Sequence, residues 1–135
     1  MVAIKAAAAA RHAVRDSSAL HEAGDSAAAL QTLAVTGVRI AQLGTRNASL
    51  LEAVALITRS RLDILVGDEE GGQGERVSWS AAPEWDALPA EAQCCLLETE
   101  SKALALHLHD VSATLRELAS RCTGTIPSYL TLSIA

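Results

Sequence analysis

Aromatic residues are almost absent from this 135-residue chain, which has no Phe, one Tyr and two Trp. That scarcity argues against a β-sandwich, because strands favour β-branched and aromatic side chains. Cysteine is scarce as well. Cys94, Cys95 and Cys122 are an odd set without regular spacing, so no disulfide framework is expected, and they read as free thiols of a reducing compartment. No apolar run reaches the roughly 18 residues of a membrane span. The richest stretch, Ser26 to Leu43, is interrupted by Gln31, Arg39 and Gln42. A basic excess is missing too: 11 Lys and Arg stand against 16 Asp and Glu, a net charge of −5. Nucleic acid is therefore not an expected partner, since it calls for a basic face.

What the chain does have is Ala and Leu, which dominate an apolar half of the composition. Both are strong helix formers. The expected fold is all-α, an antiparallel helical bundle of one domain's length. The segment from Met1 to Arg15 carries Lys5, Arg11 and Arg15 and no acid. This reads as an Ala-rich first helix of a cytoplasmic protein or, alternatively, as a mitochondrial transit peptide.

Helical spacing predicts a first helix from Ala3 to Glu22, stopped by Gly24, with Asp25 as the N-cap of the next. The second helix runs from Ser26 to Leu43, with Leu30, Leu33, Gly37, Ile40 and Gly44 at helical spacing on one face. A mid-helix Gly costs about 1 kcal/mol against Ala, so Gly37 reads as marking a close helix–helix approach and not a break in the helix. Asn47 caps a third helix from Ala48 to Val66. Beside their main stripes, these two helices carry further apolar positions at Val35 and Val38, and at Leu50, Ile57 and Ile64, with Arg61 among them. That is more apolar surface than a three-helix bundle needs.

Residues 67–85 read as a Gly-rich, acidic linker. Trp79 and Trp85 in or beside it are expected to pin the linker onto the domain, or else to meet a partner. From Pro89 to Cys122 a long fourth helix is expected, filling a segment over residues 86–123. Leu97, Leu104, Leu108, Val111, Leu115 and Leu118 form its heptad seam. At about 1.5 Å per residue such a helix is roughly 50 Å long, far beyond helices two and three. It must overhang, bend or pair elsewhere, as a homo- or hetero-oligomer. In the tail, residues 124–135, Leu130, Leu132 and Ile134 alternate with polar residues in a short strand-like pattern, unless the terminus is simply frayed.

Chemistry-bearing patterns are few. His107 and His109 are two apart on a predicted helix, about 200° around it, and cannot share a metal. Cys94-Cys95 lacks the C-x-x-C spacing of zinc and redox sites. Gly67 to Gly74 matches neither phosphate-binding glycine pattern, and Asp68-Glu69-Glu70 lacks the alternating ligands of an EF-hand loop. No metal, no cofactor and no catalytic residue is expected, and the chain does not read as an enzyme.

One motif is more specific. Ala23-Gly24-Asp25-Ser26-Ala27-Ala28-Ala29-Leu30 resembles the A-G-[ND]-Y-x-x-A-L turn between the first two helices of MIT (microtubule interacting and trafficking) domains. These are three-helix modules of ESCRT-pathway AAA ATPases, spastin and katanin. Ala9, Ala13 and Val14 are similar to the family's first helix, and Arg61-Leu62-Asp63-Ile64-Leu65 to the R-A-E-x-L close of its third. The resemblance covers residues 3–66, and the span 1–66 forms the expected three-helix unit. Ser26 stands where the family has an aromatic residue. A related turn occurs in tetratricopeptide repeats, but the 34-residue recurrence expected near position 58 is absent.

The resemblance implies a non-catalytic protein-interaction module that takes a helical or extended peptide from a trafficking, ESCRT or cytoskeletal partner. Val35, Val38, Leu50, Ile57 and Ile64 would line its groove, with Arg39 and Arg61 pairing with acids of the guest. The alternative is a structural subunit or helical chaperone that assembles through the long fourth helix.

Overall fold

A computed structural model describes residues 2–44, 47–71, 77–106 and 111–129, with side-chain surroundings for 4–44, 47–67, 77–106 and 111–120. The described residues form five α-helices and two short 3-10 turns, and no strand occurs among them. The helices are α1 (Val2–Glu22), α2 (Ser26–Leu43), α3 (Ala48–Gly71), α4 (Ala90–Leu106) and α5 (Val111–Tyr129). The 3-10 turns, Trp79–Ala81 and Trp85–Ala87, lie within a strap of residues 77–88 that joins α3 to α4.

The α1 helix buries a stripe of small side chains, Ala6, Ala10, Ala13 and Ser17, spaced by three and four residues. Small residues on that face let α1 lie close against both α2 and α3. Its end shows how locally the sequence acts. Gly24 takes a left-handed φ of 88°, its N–H donates to His21 O at 3.0 Å, and the Asp25 N–H donates to Leu20 O at 2.9 Å. These two bonds satisfy carbonyls that the helix end would leave open. The Asp25 side chain then accepts from Ala28 N at 3.1 Å and starts α2. Such a cap contributes about 1 kcal/mol. The Asn47 side chain does the same for α3, accepting from Ser49 N and Leu50 N.

The α3 helix is the centre of the molecule and touches α1, α2, α4 and α5. Accordingly it is buried nearly all round, through Leu50, Leu51, Val54, Ile57, Thr58, Arg61, Leu62, Ile64 and Leu65. It continues to Gly71 rather than ending at Val66. Gly67 is tolerated within it at a cost of about 1 kcal/mol, and the acids that follow have adequate helix propensity.

The expected single helix from Pro89 to Cys122 is two helices, a correction with a packing reason. The α4 helix ends at Leu106 and α5 begins at Val111, and the two fold back on each other. Lys102 Nζ lies 3.6 Å from Glu117, and the Cys95 thiol meets Leu115 O at 3.9 Å. A 17-residue helix is about 26 Å long, close to the length of α2. Folding back lets α5 bury its half of the expected seam, Val111, Leu115 and Leu118, while α4 buries Ala92, Cys95, Leu96, Thr99 and Ala103 and leaves the expected Leu97 exposed. The pattern could not reveal the reversal, because helical periodicity specifies which side of a helix is apolar and not where the chain folds back. The expected strand-like positions Leu130, Leu132 and Ile134 lie outside the described residues. The helix preceding them runs to Tyr129, so residues 124–129 are helical.

Candidate functional site

Three surfaces bear on contact-making. The first is the face between α2 and α3. Val38 and Ile57 are completely buried there, Leu50 and Ile64 nearly so, and Val35 is partly buried against the same core. What covers the face near its middle is the chain's own strap. Trp79, fully buried at 0 % exposure, is laid against Gly37 and Ile57. A Cβ at position 37 would stand 2.5 Å from Trp79 Cζ3 and 3.1 Å from Ile57 Cγ2. The close approach marked by Gly37 is therefore that of the α3 helix, through Ile57, and of an indole that the helical spacing did not foresee.

Gly37→Ala consequently has an inverted sign. In an open helix it would gain about 1 kcal/mol. Here it is expected to lose about 1–3 kcal/mol by overpacking. In a Trp79→Leu background the same substitution should turn neutral or favourable. Urea titration of the four chains measures this. A Gly37→Ala chain more stable than wild type would show that the indole is not seated on residue 37.

Arg61 lies beside Trp79 and is 1 % exposed. Its guanidinium carbon is 4.6 Å from the indole centroid. Nε–H donates to Glu100 Oε2 at 2.7 Å and Nη2 to Glu100 Oε1 at 3.1 Å, a two-pronged ion pair. Nη2 also donates to Val77 O at 2.8 Å, and Nη1 to Leu30 O at 3.1 Å. One side chain thus ties α2, α3, the strap and α4 together. The acid it meets belongs to this chain. Arg39, by contrast, is exposed at the end of α2, with Nε 2.7 Å from Glu84 of the strap. Gln31 and Gln93 fasten the strap further, donating to Ala81 O and Trp85 O.

The second surface is the α4–α5 seam. Val111, Leu115 and Leu118 are buried, Leu104 partly so, and Leu108 lies outside the described residues. Leu97 is 43 % exposed and, with Leu118, Glu98, Ser101 and Lys102, borders a groove of about 490 Å³. Its charges are of both signs.

The third surface was not legible as a site. Lys5, Ala6 and Ala9 near the start of α1 face Thr36, Arg39, Ile40 and Leu43 near the end of α2 across an open groove of about 420 Å³. Leu43 is 55 % exposed at its rim. The one signal in the sequence is the helical spacing of Thr36, Ile40 and Leu43. It is masked because Ile40 also belongs to the main stripe of α2.

Chemically these surfaces offer packing and charge. Among the described residues no cluster of three or more His, Cys, Asp or Glu is placed to hold a metal. The Cys94 thiol donates to Glu98 at 3.3 Å. No described helix is long and apolar enough to cross a membrane. Known protein families, curated proteins and solved structures offer no match to this chain.

Proposed function

We propose that this chain is a non-catalytic protein-interaction module that docks a helical or extended peptide of a trafficking, ESCRT or cytoskeletal partner. The observation that carries the reading is the open apolar groove between α1 and α2, with Leu43 exposed at its rim. Its volume lies within the range of about 300–1,000 Å³ typical of binding clefts. The α2–α3 face expected to hold a guest is occupied by Trp79, so docking moves to the neighbouring groove. The MIT-like turn at Ala23 to Leu30 supports the choice of partner class, and an antiparallel MIT-like order of the first three helices belongs to the same reading. It places the protein in the cytoplasm.

The competing reading, a structural subunit or helical chaperone joined through a long fourth helix, draws less support. Its seam folds back within the chain, and pairing through Val111, Leu115 and Leu118 would require opening the α4–α5 hairpin.

A panel of ESCRT-III tail peptides titrated against the full chain by fluorescence anisotropy tests the partner class. Leu43→Asp serves as the control, since its side chain is exposed and the fold should survive. Binding that Leu43→Asp removes is the expected result. Silence from the whole panel would sink the trafficking assignment.

A further inference from the structure

We propose that the occupant of the α1–α2 groove is an acidic amphipathic helix, held by an apolar ridge on the groove floor and by carboxylates paired with the cations on its walls. This rests on reading the chain as a docking module and goes on to name the chemistry of the guest.

Shape selects a helix. On the α1 wall, beside Lys5, the groove has the methyls of Ala6 and Ala9, which give it depth, while Ile40 and Leu43 form the other side. From Thr36 to Leu43 the wall is about 12 Å long, two helical turns. A guest helix satisfies its own backbone hydrogen bonds. An extended segment laid on this floor would leave N–H and C=O groups facing methyls, and no strand edge exists among the described residues to receive them. A flat lipid surface fits poorly too. Membrane-binding helices present a protruding apolar face, whereas Ala6 at the groove floor is buried and out of reach of a plane.

Charge selects an acidic guest. Among the described residues, the two charged ones lining the groove, Lys5 and Arg39, are both cations and stand on opposite walls. The chain carries a net −5, yet the segment from Met1 to Arg15 holds Lys5, Arg11 and Arg15 and no acid. Glu84, 2.7 Å from Arg39 Nε, offsets part of that charge, so Lys5 is the cation a guest feels most. The other groove, between α4 and α5, mixes Glu98 with Lys102 and makes no such selection.

The test uses the full chain and two synthetic amphipathic helices that share one Leu face, one flanked by Glu and the other by Lys, with phosphatidylserine vesicles as a third probe. The Glu peptide is expected to bind at least about tenfold tighter than the Lys peptide. Lys5→Glu should erase that preference, and raised salt should shrink it. Ala9→Trp fills the groove from an exposed position and should abolish binding while the circular dichroism spectrum is unchanged. Leu43→Asp is a second, independent block. If both peptides bind equally and Ala9→Trp blocks both, the charge selection is overturned and the docking reading stands. If neither peptide binds, or if neither block weakens binding, both fall. Vesicle binding that Ala9→Trp removes, without peptide binding, would overturn the proposal in favour of a lipid surface.

Discussion

Trp79→Ala is expected to lower folding stability by about 3–5 kcal/mol, a large part of the roughly 5–15 kcal/mol of a typical domain. Trp79 is the largest fully buried side chain among the described residues, and it fills space that Gly37 leaves open. Removing it leaves a cavity bounded by Gly37 and Ile57. Gly37 has no side chain with which to fill that space, so collapse is limited and the cavity cost stays high. The substitution also strips the ring from over the Arg61 guanidinium, a contact worth about 2 kcal/mol when desolvated. Trp79→Phe should lose less than Trp79→Ala. It keeps a ring, and it removes an indole N–H that is buried without a hydrogen-bond acceptor, a liability of about 1–3 kcal/mol. Urea unfolding followed by circular dichroism measures all three chains. A Trp79→Ala loss below about 1 kcal/mol, the scale of an exposed change, would mean that the strap is a loose flap rather than part of the core.

Arg61→Met is expected to cost a similar amount, about 3–5 kcal/mol, because it removes one partner of a buried ion pair. Glu100, 13 % exposed, would be left charged without its cation, and Leu30 O and Val77 O would each lose a donor. Arg61→Lys should recover only part of the loss. An ammonium is a point charge and cannot reach the two carboxylate oxygens and two carbonyls as a planar fork does. The double substitution Arg61→Met with Glu100→Leu should be clearly more stable than Arg61→Met alone, since replacing a buried pair by apolar groups is often near neutral. The resulting double-mutant cycle gives the coupling energy. Additive losses from the two single changes would show that Arg61 and Glu100 do not act as a pair. The ion pairs that join Glu52 to Arg116 and Arg39 to Glu84 are half-exposed and are expected to matter by less than about 1 kcal/mol each.

These two side chains also show where reading the sequence stops. Arg61 stands at helical spacing with Leu50, Ile57 and Ile64, and that spacing put it on an apolar face. Its partner, Glu100, is 39 residues away on a helix whose rotation no local pattern fixes. An Arg on an apolar stripe looks the same whether it awaits a guest's carboxylate or holds one of its own. Trp79 was expected to pin the linker, and it does. That it enters so deeply depends on Gly37, which lies two elements earlier in the chain, on α2. Each residue signals its half of the contact, an unexplained gap on one side and a stranded ring on the other. Nothing in the sequence matches the halves.

Local structure was determined by the sequence alone. The boundaries of α2, the Gly24 and Asp25 junction, the Asn47 cap and the all-helical class all follow from propensity and capping, which act over a few residues. The amount of apolar surface on α2 and α3 was legible too, because helical periodicity counts faces without reference to neighbours. Only the tertiary structure decided what covers that surface: the strap with Trp79 on the α2–α3 face, and a hairpin of α4 and α5 in place of one long helix. It likewise decided that a groove stays open between α1 and α2. The reason is physical. Burial of apolar area is not directional, so a stripe specifies that it must be covered without specifying by what. That choice rests on long-range packing and on the few polar contacts, such as those of Arg61, that fit only one arrangement.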